Sequence, residues 1–392
     1  MTAHFDVPAW GYKPYELTSQ QAAALRATGL VHVEVGPVPG QYALRGLSSV
    51  GVAAGPDWEL RVSSHLDVHE VLFLLAYARD SFGWRTTVAS FAKSETLLAA
   101  VAWGFAAASE DALRAGPLRG YRRLDEATPV LRGRLRIGEQ LARGGMATPV
   151  LVTRDEYDLD VPENRLLLAA ALLLTRTPLV APVVRARLRR IVALLDGVSV
   201  VSPRTLRSPP ITRLNRHYAP GIALAELIVR GMSVTTRAGT VRSVTFAFDL
   251  ARVFEDFLEV ALGAALRRRG ASLDRQPKGR ALDVERTLGL EPDFVVRRAG
   301  DPEPIAILDA KFKSLDASLG GDAYQMLSYL LEFGPRCGTL VCATGEHSDR
   351  RIRAVDKRIA VRPLALDRPP AEVLRAVDRL AEETVRLVDA DT

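Results

Sequence analysis

The chain has 392 residues, of which 48% are hydrophobic and 25% charged, a composition typical of globular proteins with two or three domains. Its net charge of +6 permits contact with nucleic acid without requiring it, and the longest apolar run, at 166–174, is too short to cross a bilayer. The N-terminal residues lack a signal-peptide pattern, and the two cysteines fall near a predicted buried strand. We therefore expect a cytoplasmic protein with reduced thiols and no membrane partner.

Residues 1–64 form the first region, in which short β-like runs alternate with glycines. This alternation predicts a small β-rich module. One role for such a module is a structural cap on the region that follows. The predicted strands are 30–35, 42–44, 50–53 and 58–62.

Residues 65–240 form a second, mainly helical region. Its basic stretch at 121–143 carries Arg132, Arg134 and Arg136, which either face phosphates or an acidic partner or are simply solvated. The acidic run at 155–160 lacks the glycine and terminal glutamate of a calcium loop, so we exclude that site. The predicted helices are 66–79, 91–114, 163–176, 180–195 and 221–231.

The third region, residues 241–392, is organised around the segment EPDFVVRRAGDPEPIAILDAKFK at 291–313. Two apolar runs in it predict a pair of strands joined by a Gly/Pro/Asp turn. Asp293 opens the first strand and Asp309 closes the second, so in a hairpin the two carboxylates meet at the same open end. Lys311 projects from the same face as Asp309, because alternate strand residues share a face.

Two adjacent carboxylates favour a divalent cation, and Mg²⁺ takes such hard oxygen ligands while keeping several waters. We expect Asp293 and Asp309 to bind Mg²⁺ with help from the Ala310 carbonyl, and Lys311 to stabilise charge during phosphodiester hydrolysis. The alternative is an ordinary ion pair at a strand end. Only six residues of the whole chain are lysines, and two of them, Lys311 and Lys313, lie in this segment, which favours the functional interpretation.

Two predicted helices flank the hairpin. The preceding helix, at 248–269, carries Glu255, which points either at the metal or at solvent. The following helix, at 322–333, places Gln325 and Tyr329 on one face because they are four residues apart. A further strand at 338–343 and a last helix at 370–388 complete the region.

This order of elements resembles the PD-(D/E)XK nuclease superfamily, on the motifs Pro292-Asp293 and Asp309-Ala310-Lys311. Glu255 matches the acidic residue of the leading helix, and Gln325-x-x-x-Tyr329 resembles the trailing-helix motif of the RecB-like branch. The resemblance implies a mixed sheet flanked by helices in the last region of an α+β multidomain protein. It also implies that Asp293, Asp309, Lys311, Glu255, Gln325 and Tyr329 are catalytic, with Asp293, Asp309, Ala310 and Glu255 around the metal.

Within that superfamily, the segments PDFVV, ILDAKFK and DAYQMLSYL resemble the McrC family, the nuclease subunit of modification-dependent restriction systems. The stretches at 131–134, 162–165 and 215–218 resemble further segments of that family. The resemblance implies a Mg²⁺-dependent endonuclease that cleaves methylated DNA together with a separate AAA+ GTPase of the McrB type, contacted through residues 1–64. The sequence has no Walker-type phosphate loop, so GTP is expected on the partner and not on this chain.

Two alternatives stay open at this point. The first is a RecB-like nuclease of another defence or repair system. The second is a noncatalytic adaptor that only stimulates a GTPase ring, although such an adaptor would have no need of the set Asp293, Asp309 and Lys311.

Overall fold

The computed structural model describes residues 2–79, 96–144, 148–202, 205–237, 240–314 and 320–389, which form a mixed α/β protein. The chain divides into two compact units: residues 1–89 together with 247–392, and residues 90–246. The sequence instead predicts boundaries at 64 and 240. A main reason for the difference is the helix Val68–Arg79, whose Phe73 and Tyr77 rings pack 5.5 and 5.4 Å from Phe257.

The N-terminal part of the first unit is built from six strands and a short helix. The strands are β1 (Ala3–Pro8), β2 (Tyr12–Glu16), β3 (Val31–Val35), β4 (Gln41–Gly46), β5 (Ser49–Ala54) and β6 (Trp58–Ser63), and helix α1 spans Ser19–Ala27. β6 pairs parallel with β1 and antiparallel with β5, whereas β4 lies between β2 and β3. Buried side chains of these elements, among them Val7, Leu25, Leu44 and Leu60, form one core. The four predicted strands are confirmed, and helix α2 (Val68–Arg79) follows them.

The sequence prediction missed β1, β2 and α1. Strand β2 has only exposed or half-buried side chains, so it shows no apolar alternation, and Pro14 argues against a strand. Helix α1 begins with a capping box, in which Thr18 and Gln21 exchange hydrogen bonds, but its apolar face is weak. These elements depend on packing within the module more than on local pattern.

The second unit contains four helices that the sequence predicts and one that it does not. The predicted helices are α3 (Leu97–Ala112), α5 (Pro162–Thr175), α6 (Pro182–Leu194) and α7 (Ala219–Gly231), and the unpredicted one is the short helix α4 (Ile137–Ala142). Of the predicted helix at 91–114, residues 91–95 lie outside the described part of the chain. A small antiparallel sheet, β7 (Gly120–Thr128), β9 (Val150–Asp158) and β8 (Arg134–Leu135), was not predicted, because no side chain of β7 is fully buried. Two strands, β10 (Met232–Arg237) and β11 (Thr240–Asp249), pair as a hairpin.

Polar residues of the acidic run and of the family-like segments in the second unit form ion pairs or hydrogen bonds within the fold. Asp160 is buried and forms a two-point ion pair with Arg165, at 2.6 and 2.7 Å, so the acidic run stabilises the start of α5. Asn164 donates to the carbonyl oxygens of Leu118 and Leu159 and accepts a hydrogen bond from Tyr218. The family-like segments at 162–165 and 215–218 therefore meet in one buried hydrogen-bond network.

The C-terminal part of the first unit is a six-stranded sheet with helices on both faces. Its elements are α8 (Leu250–Arg267), β12 (Ala271–Arg275), β13 (Arg280–Ala281), β14 (Gly289–Leu290), β15 (Phe294–Arg298), β16 (Pro304–Ser314), α9 (Gly320–Phe333), β17 (Cys337–Thr344), β18 (Ser348–Ile352), β19 (Lys357–Pro363) and α10 (Pro370–Asp389). The strand order is β12-β15-β16-β17-β19-β18, in which β15 and β16 are antiparallel and β16, β17 and β19 are parallel.

The two faces of this sheet bury different helices. Met326 and Leu330 of α9 pack on Val295, Ile307 and Leu340 on one face. On the other face, next to α8, the buried ring of Phe312 receives three other rings. Their centroids lie 5.9, 5.7 and 5.4 Å away and belong to Phe254, Trp10 and His65. The N-terminal module thus covers the back of β16. None of the described helices combines the length and apolar composition needed to cross a bilayer.

Candidate active site

The predicted hairpin is confirmed, and it brings two aspartates to one end of the sheet. Phe294 of β15 pairs with Leu308 of β16, so Asp293 and Asp309 lie just beyond this pair at the open end. The Ala310 backbone N–H donates a hydrogen bond of 2.7 Å to Oδ2 of Asp293. This bond fixes the first carboxylate against the strand that carries the second.

The two carboxylates share a poorly solvated environment. Asp309 is only 3% exposed, and burial together with the negative charge of Asp293 raises its pKa to about 6. Burial, followed by the charge of Glu255, also raises the pKa of Asp293. Two anionic groups shielded from water are energetically unfavourable. A bound cation would offset both the cost of burying their charges and their mutual repulsion.

Lys311 supplies positive charge to this cluster. Its Nζ lies 2.5 Å from Asp309 Oδ2, 3.1 Å from Gln325 Oε1 and 3.8 Å from Asp322 Oδ1. Burial lowers the pKa of Lys311, but the surrounding carboxylates outweigh this effect and raise it, so the side chain remains an ammonium. Asp309 Oδ2 is itself a buried oxygen, and the ammonium of Lys311 is the charge in contact with it.

Side chains of helix α9 link Lys311 to the backbone just before Asp293. Gln325, which accepts from Lys311, donates through Nε2 to the Tyr329 hydroxyl at 2.8 Å. The Tyr329 hydroxyl in turn donates to the backbone oxygen of Glu291 at 3.2 Å, two residues before Asp293. Burial and the charge of Asp309 raise the pKa of Tyr329 to about 12, so the phenol keeps its proton. Gln325 and Tyr329 are therefore hydrogen-bonded neighbours on one face of α9, as their spacing predicts.

Glu255 projects from α8 towards the site but is already paired. Its Oε2 lies 3.3 Å from Arg275, and Gln276 donates to the same oxygen at 3.5 Å. Burial raises the pKa of Glu255, and the Arg275 charge partly offsets that effect. Gln276 has a left-handed backbone, with φ of 43°, and its N–H donates to the Asp293 backbone oxygen at 2.9 Å. A strained residue thus links Glu255 to Asp293.

The oxygen atoms at this end of the hairpin fit the coordination that Mg²⁺ prefers. In the described part of the chain no three His, Cys, Asp or Glu side chains are grouped to hold a metal ion. Mg²⁺ needs fewer, since it commonly binds one or two carboxylates and keeps water in its other positions. Asp293, Asp309 with its buried Oδ2, and the Ala310 carbonyl suit that pattern. A direct contact between Glu255 and the metal stays a prediction, because the carboxylate of Glu255 forms an ion pair with Arg275 in this structure.

Three residues of the site were not singled out by sequence reasoning. Asp322 lies three residues before Gln325, and helical spacing alone would have placed the two side chains together. Arg275 gave no such signal, because it lies 20 residues from Glu255 and the two meet only through the packing of β12 on α8. Gln276 is recognisable only by its backbone conformation.

A family model described as "McrBC 5-methylcytosine restriction system component" matches residues 32–342. No curated protein matches the chain. The fold is similar to a chain of the refined half-complex from the tetradecameric assembly of Thermococcus gammatolerans McrB AAA+ hexamers with bound McrC, with a TM-score of 0.61 and 15% identity over 97% of this chain and 100% of that chain. A chain of the Thermococcus gammatolerans McrBC complex also matches, with a TM-score of 0.42 and 18% identity over 67% of this chain and 88% of that one.

Proposed function

Because the chain belongs to the family of McrBC 5-methylcytosine restriction system components, we propose that it is the Mg²⁺-dependent DNA endonuclease subunit of such a system. The family match confirms the McrC resemblance that the sequence motifs indicate. The proposal includes a C-terminal domain of the PD-(D/E)XK type, supported by the mixed sheet in which adjacent antiparallel strands carry Asp293 and Asp309.

One observation carries the nuclease assignment. Asp293, Asp309 and Lys311, from two adjacent strands and the residue before one of them, converge in a cluster in which Asp309 is buried and the other two are half-buried, although burial disfavours their charges. Ordinary surface ion pairs do not require such an arrangement, whereas carboxylates with pKa values raised by burial and by a neighbouring carboxylate are typical of functional sites. Bound Mg²⁺ would polarise the scissile phosphate and supply a water of lowered pKa.

The protein side chains have distinct tasks in this proposal. Asp293 and Asp309 provide the oxygen ligands, and the Ala310 N–H keeps Asp293 in place. The Lys311 ammonium stabilises negative charge on the phosphate as it develops. Gln325 and Tyr329 orient Lys311 and the segment before Asp293 through their hydrogen bonds.

The partner in this proposal is an AAA+ GTPase oligomer of the McrB type, and the target is methylated DNA. Two observations support it: the family match, and the similarity in fold to a chain from an assembly of McrB AAA+ hexamers with bound McrC. The sequence has no Walker-type phosphate loop, so GTP binding falls to the partner. Stimulation of the partner's GTPase activity belongs to the same proposal.

The test is cleavage of methylated and unmethylated plasmid by the chain with an McrB-type partner, GTP and Mg²⁺, beside a GTPase assay on the same samples. We expect cleavage of methylated plasmid that requires partner and GTP. Asp309→Asn should abolish cleavage and leave GTPase stimulation intact, whereas Asp301→Asn, in the turn of the same hairpin, should cleave normally. GTPase stimulation without cleavage by the wild type would support the noncatalytic adaptor, and GTP-independent cutting would support a RecB-like nuclease.

A further inference from the structure

The environment of Lys311 contains one carboxylate that the proposed chemistry does not use. Asp322 lies in the first turn of α9, with Oδ1 3.8 Å from Lys311 Nζ. The side chains of Lys311 and Asp322 are 19% and 12% exposed, so solvent screens their interaction only in part. Asp322 belongs to a different element from Asp309, and the two carboxylates approach the same ammonium from the helix and from the strand.

The ion pair between Lys311 and Asp309 conflicts with metal binding. The ammonium lies 2.5 Å from Oδ2 of Asp309, the buried oxygen that a cation at this end of the hairpin would need. A cation bound by Asp309 would also repel the ammonium, because both carry positive charge at short range. Lys311 therefore needs a second carboxylate if it is to stay at the site once Asp309 turns to the metal.

We propose that Asp322 is a positioning residue that holds the Lys311 ammonium beside the phosphate while Asp309 binds the metal. Helix α9 suits this role because Asp322 and Gln325 are three residues apart and lie on one face. Gln325 already accepts a hydrogen bond from Lys311 at 3.1 Å, so α9 offers both an amide oxygen and a negative charge. The inference rests on the proposed function and deepens it.

A purely structural role for Asp322 gives a different expectation. A carboxylate in the first turn stabilises a helix through the helix dipole, and its loss would lower the stability of the fold. It would not change the affinity of the site for a metal ion. In the positioning role, removal of Asp322 leaves Lys311 more dependent on Asp309, so the ammonium competes more strongly with the cation.

The experiment compares the wild-type chain with Asp322→Asn, Asp322→Ser and Asp322→Glu in two measurements. Calorimetry measures Mn²⁺ binding to the chain alone, and plasmid cleavage with partner and GTP is measured across Mg²⁺ concentrations. We expect the Asn and Ser variants to bind Mn²⁺ several-fold more weakly and to cleave about tenfold more slowly at saturating Mg²⁺, less than the roughly 10²–10³-fold effect of losing a preorganised electrostatic group. Asp322→Glu should restore much of both.

The matched control is Glu332→Gln, which removes another ion-paired carboxylate of α9, 3.3 Å from Arg280, and should change neither quantity. Wild-type Mn²⁺ affinity and cleavage rate in a folded Asn or Ser variant would overturn the inference, as would a lower unfolding temperature without a change in metal affinity. If the wild type binds Mn²⁺ but never cleaves, the proposed function fails and Mn²⁺ affinity alone decides the inference. If the wild type binds no Mn²⁺, the inference fails with the metal site.

Discussion

The ammonium of Lys311 is a compact charge held by Asp309, Asp322 and Gln325, three groups from two elements. Lys311→Ala should lower plasmid cleavage by about 10²–10³-fold, because a preorganised positive charge is lost. Lys311→Arg should fail as well, since a wide planar guanidinium does not fit between the same partners. Partner GTP hydrolysis in the same samples should stay unchanged.

The control for this prediction is Lys313→Ala. Lys313 lies two residues further along the strand, and its side chain falls outside the described part of the structure. We predict a small effect at most, on phosphate contact. Equal losses from the two alanine variants would contradict the assignment of Lys311 as the catalytic lysine.

We predict that Asp309, which the proposed activity requires, lowers the stability of the metal-free protein as the pH rises. Its pKa of about 6 lies above the ordinary value of 3.8, so its contribution to stability is fully present below pH 4 and is lost as the pH rises through 6. Asp309→Asn avoids this loss. Without metal, it should be more stable than the wild type at pH 8, by at most about 3 kcal/mol, with the difference shrinking towards pH 4.

Urea unfolding at pH 4, 6 and 8 in the presence of a chelator measures this difference. Added Mg²⁺ should stabilise the wild type at pH 8 and leave Asp309→Asn unaffected, because a ligand stabilises only the folded state that binds it. A variant that is less stable than the wild type at pH 8 would show that the Asp309 carboxylate stabilises the fold instead of destabilising it.

At the scale of elements, side chains of helix α9 connect Lys311 to the segment before Asp293 through hydrogen bonds. Tyr329→Phe removes the hydroxyl that accepts from Gln325 and donates to the Glu291 carbonyl. We predict a cleavage rate about tenfold lower, smaller than for Lys311→Ala, because positioning is weakened but no reacting group is lost. Tyr324→Phe on the same helix is the control, since this ring is 73% exposed. Equal rates for the two variants would contradict this positioning role of helix α9.

Elements whose signals are local were predictable from the sequence. The hairpin of β15 and β16 was predicted because its apolar runs, its turn and its terminal aspartates all lie within 23 residues. The helices α5 and α8 were predicted because proline or aspartate starts them and apolar periodicity continues them. Helical spacing placed Gln325 and Tyr329 on one face, as their hydrogen bond shows, whereas their assignment to the site came from the resemblance of this helix to a nuclease motif.

Features that arise from packing were not predictable. Strand β7 alternates between half-buried and exposed residues, but its half-buried positions hold Arg122 and Glu126 as well as Leu124. The sequence therefore has no apolar period-two signal there, and the strand is recognised only through its pairing with β9. The contact of Arg275 with Glu255 depends on two elements meeting in space. The same reason explains why the compact units do not coincide with the predicted regions, because the rings packed around Phe312 come from segments far apart in the chain.

At the scale of the whole molecule, the N-terminal module packs behind strand β16, which carries Asp309 and Lys311. Trp10→Ala removes a ring that lies 5.7 Å from Phe312, the neighbour of Lys311. Loss of such an aromatic pair costs about 0.5–1.5 kcal/mol beyond area burial, so the unfolding temperature should fall. Plasmid cleavage should fall as well, because β16 loses support beside Lys311.

Trp103→Ala is the matched control. Trp103 is 41% exposed against 43% for Trp10, and it stacks with Arg187 inside the other unit. This variant should lose stability but keep its cleavage rate at permissive temperature. If Trp10→Ala cleaves like the wild type, the contact between module and strand has no bearing on the active site.

A unit assembled from residues 1–89 and 247–392 also sets an order of events during translation. The core of Val7, Leu25, Leu44 and Leu60 is complete in the nascent chain early, since its residues all precede 64. Phe312, the ring that Trp10 and His65 cover, is synthesised roughly 250 residues later, on the order of ten to fifty seconds at cellular elongation rates. Throughout that interval, Trp10 and His65 lack the ring they pack against, so this contact between the N-terminal module and β16 forms only after Phe312 has been synthesised.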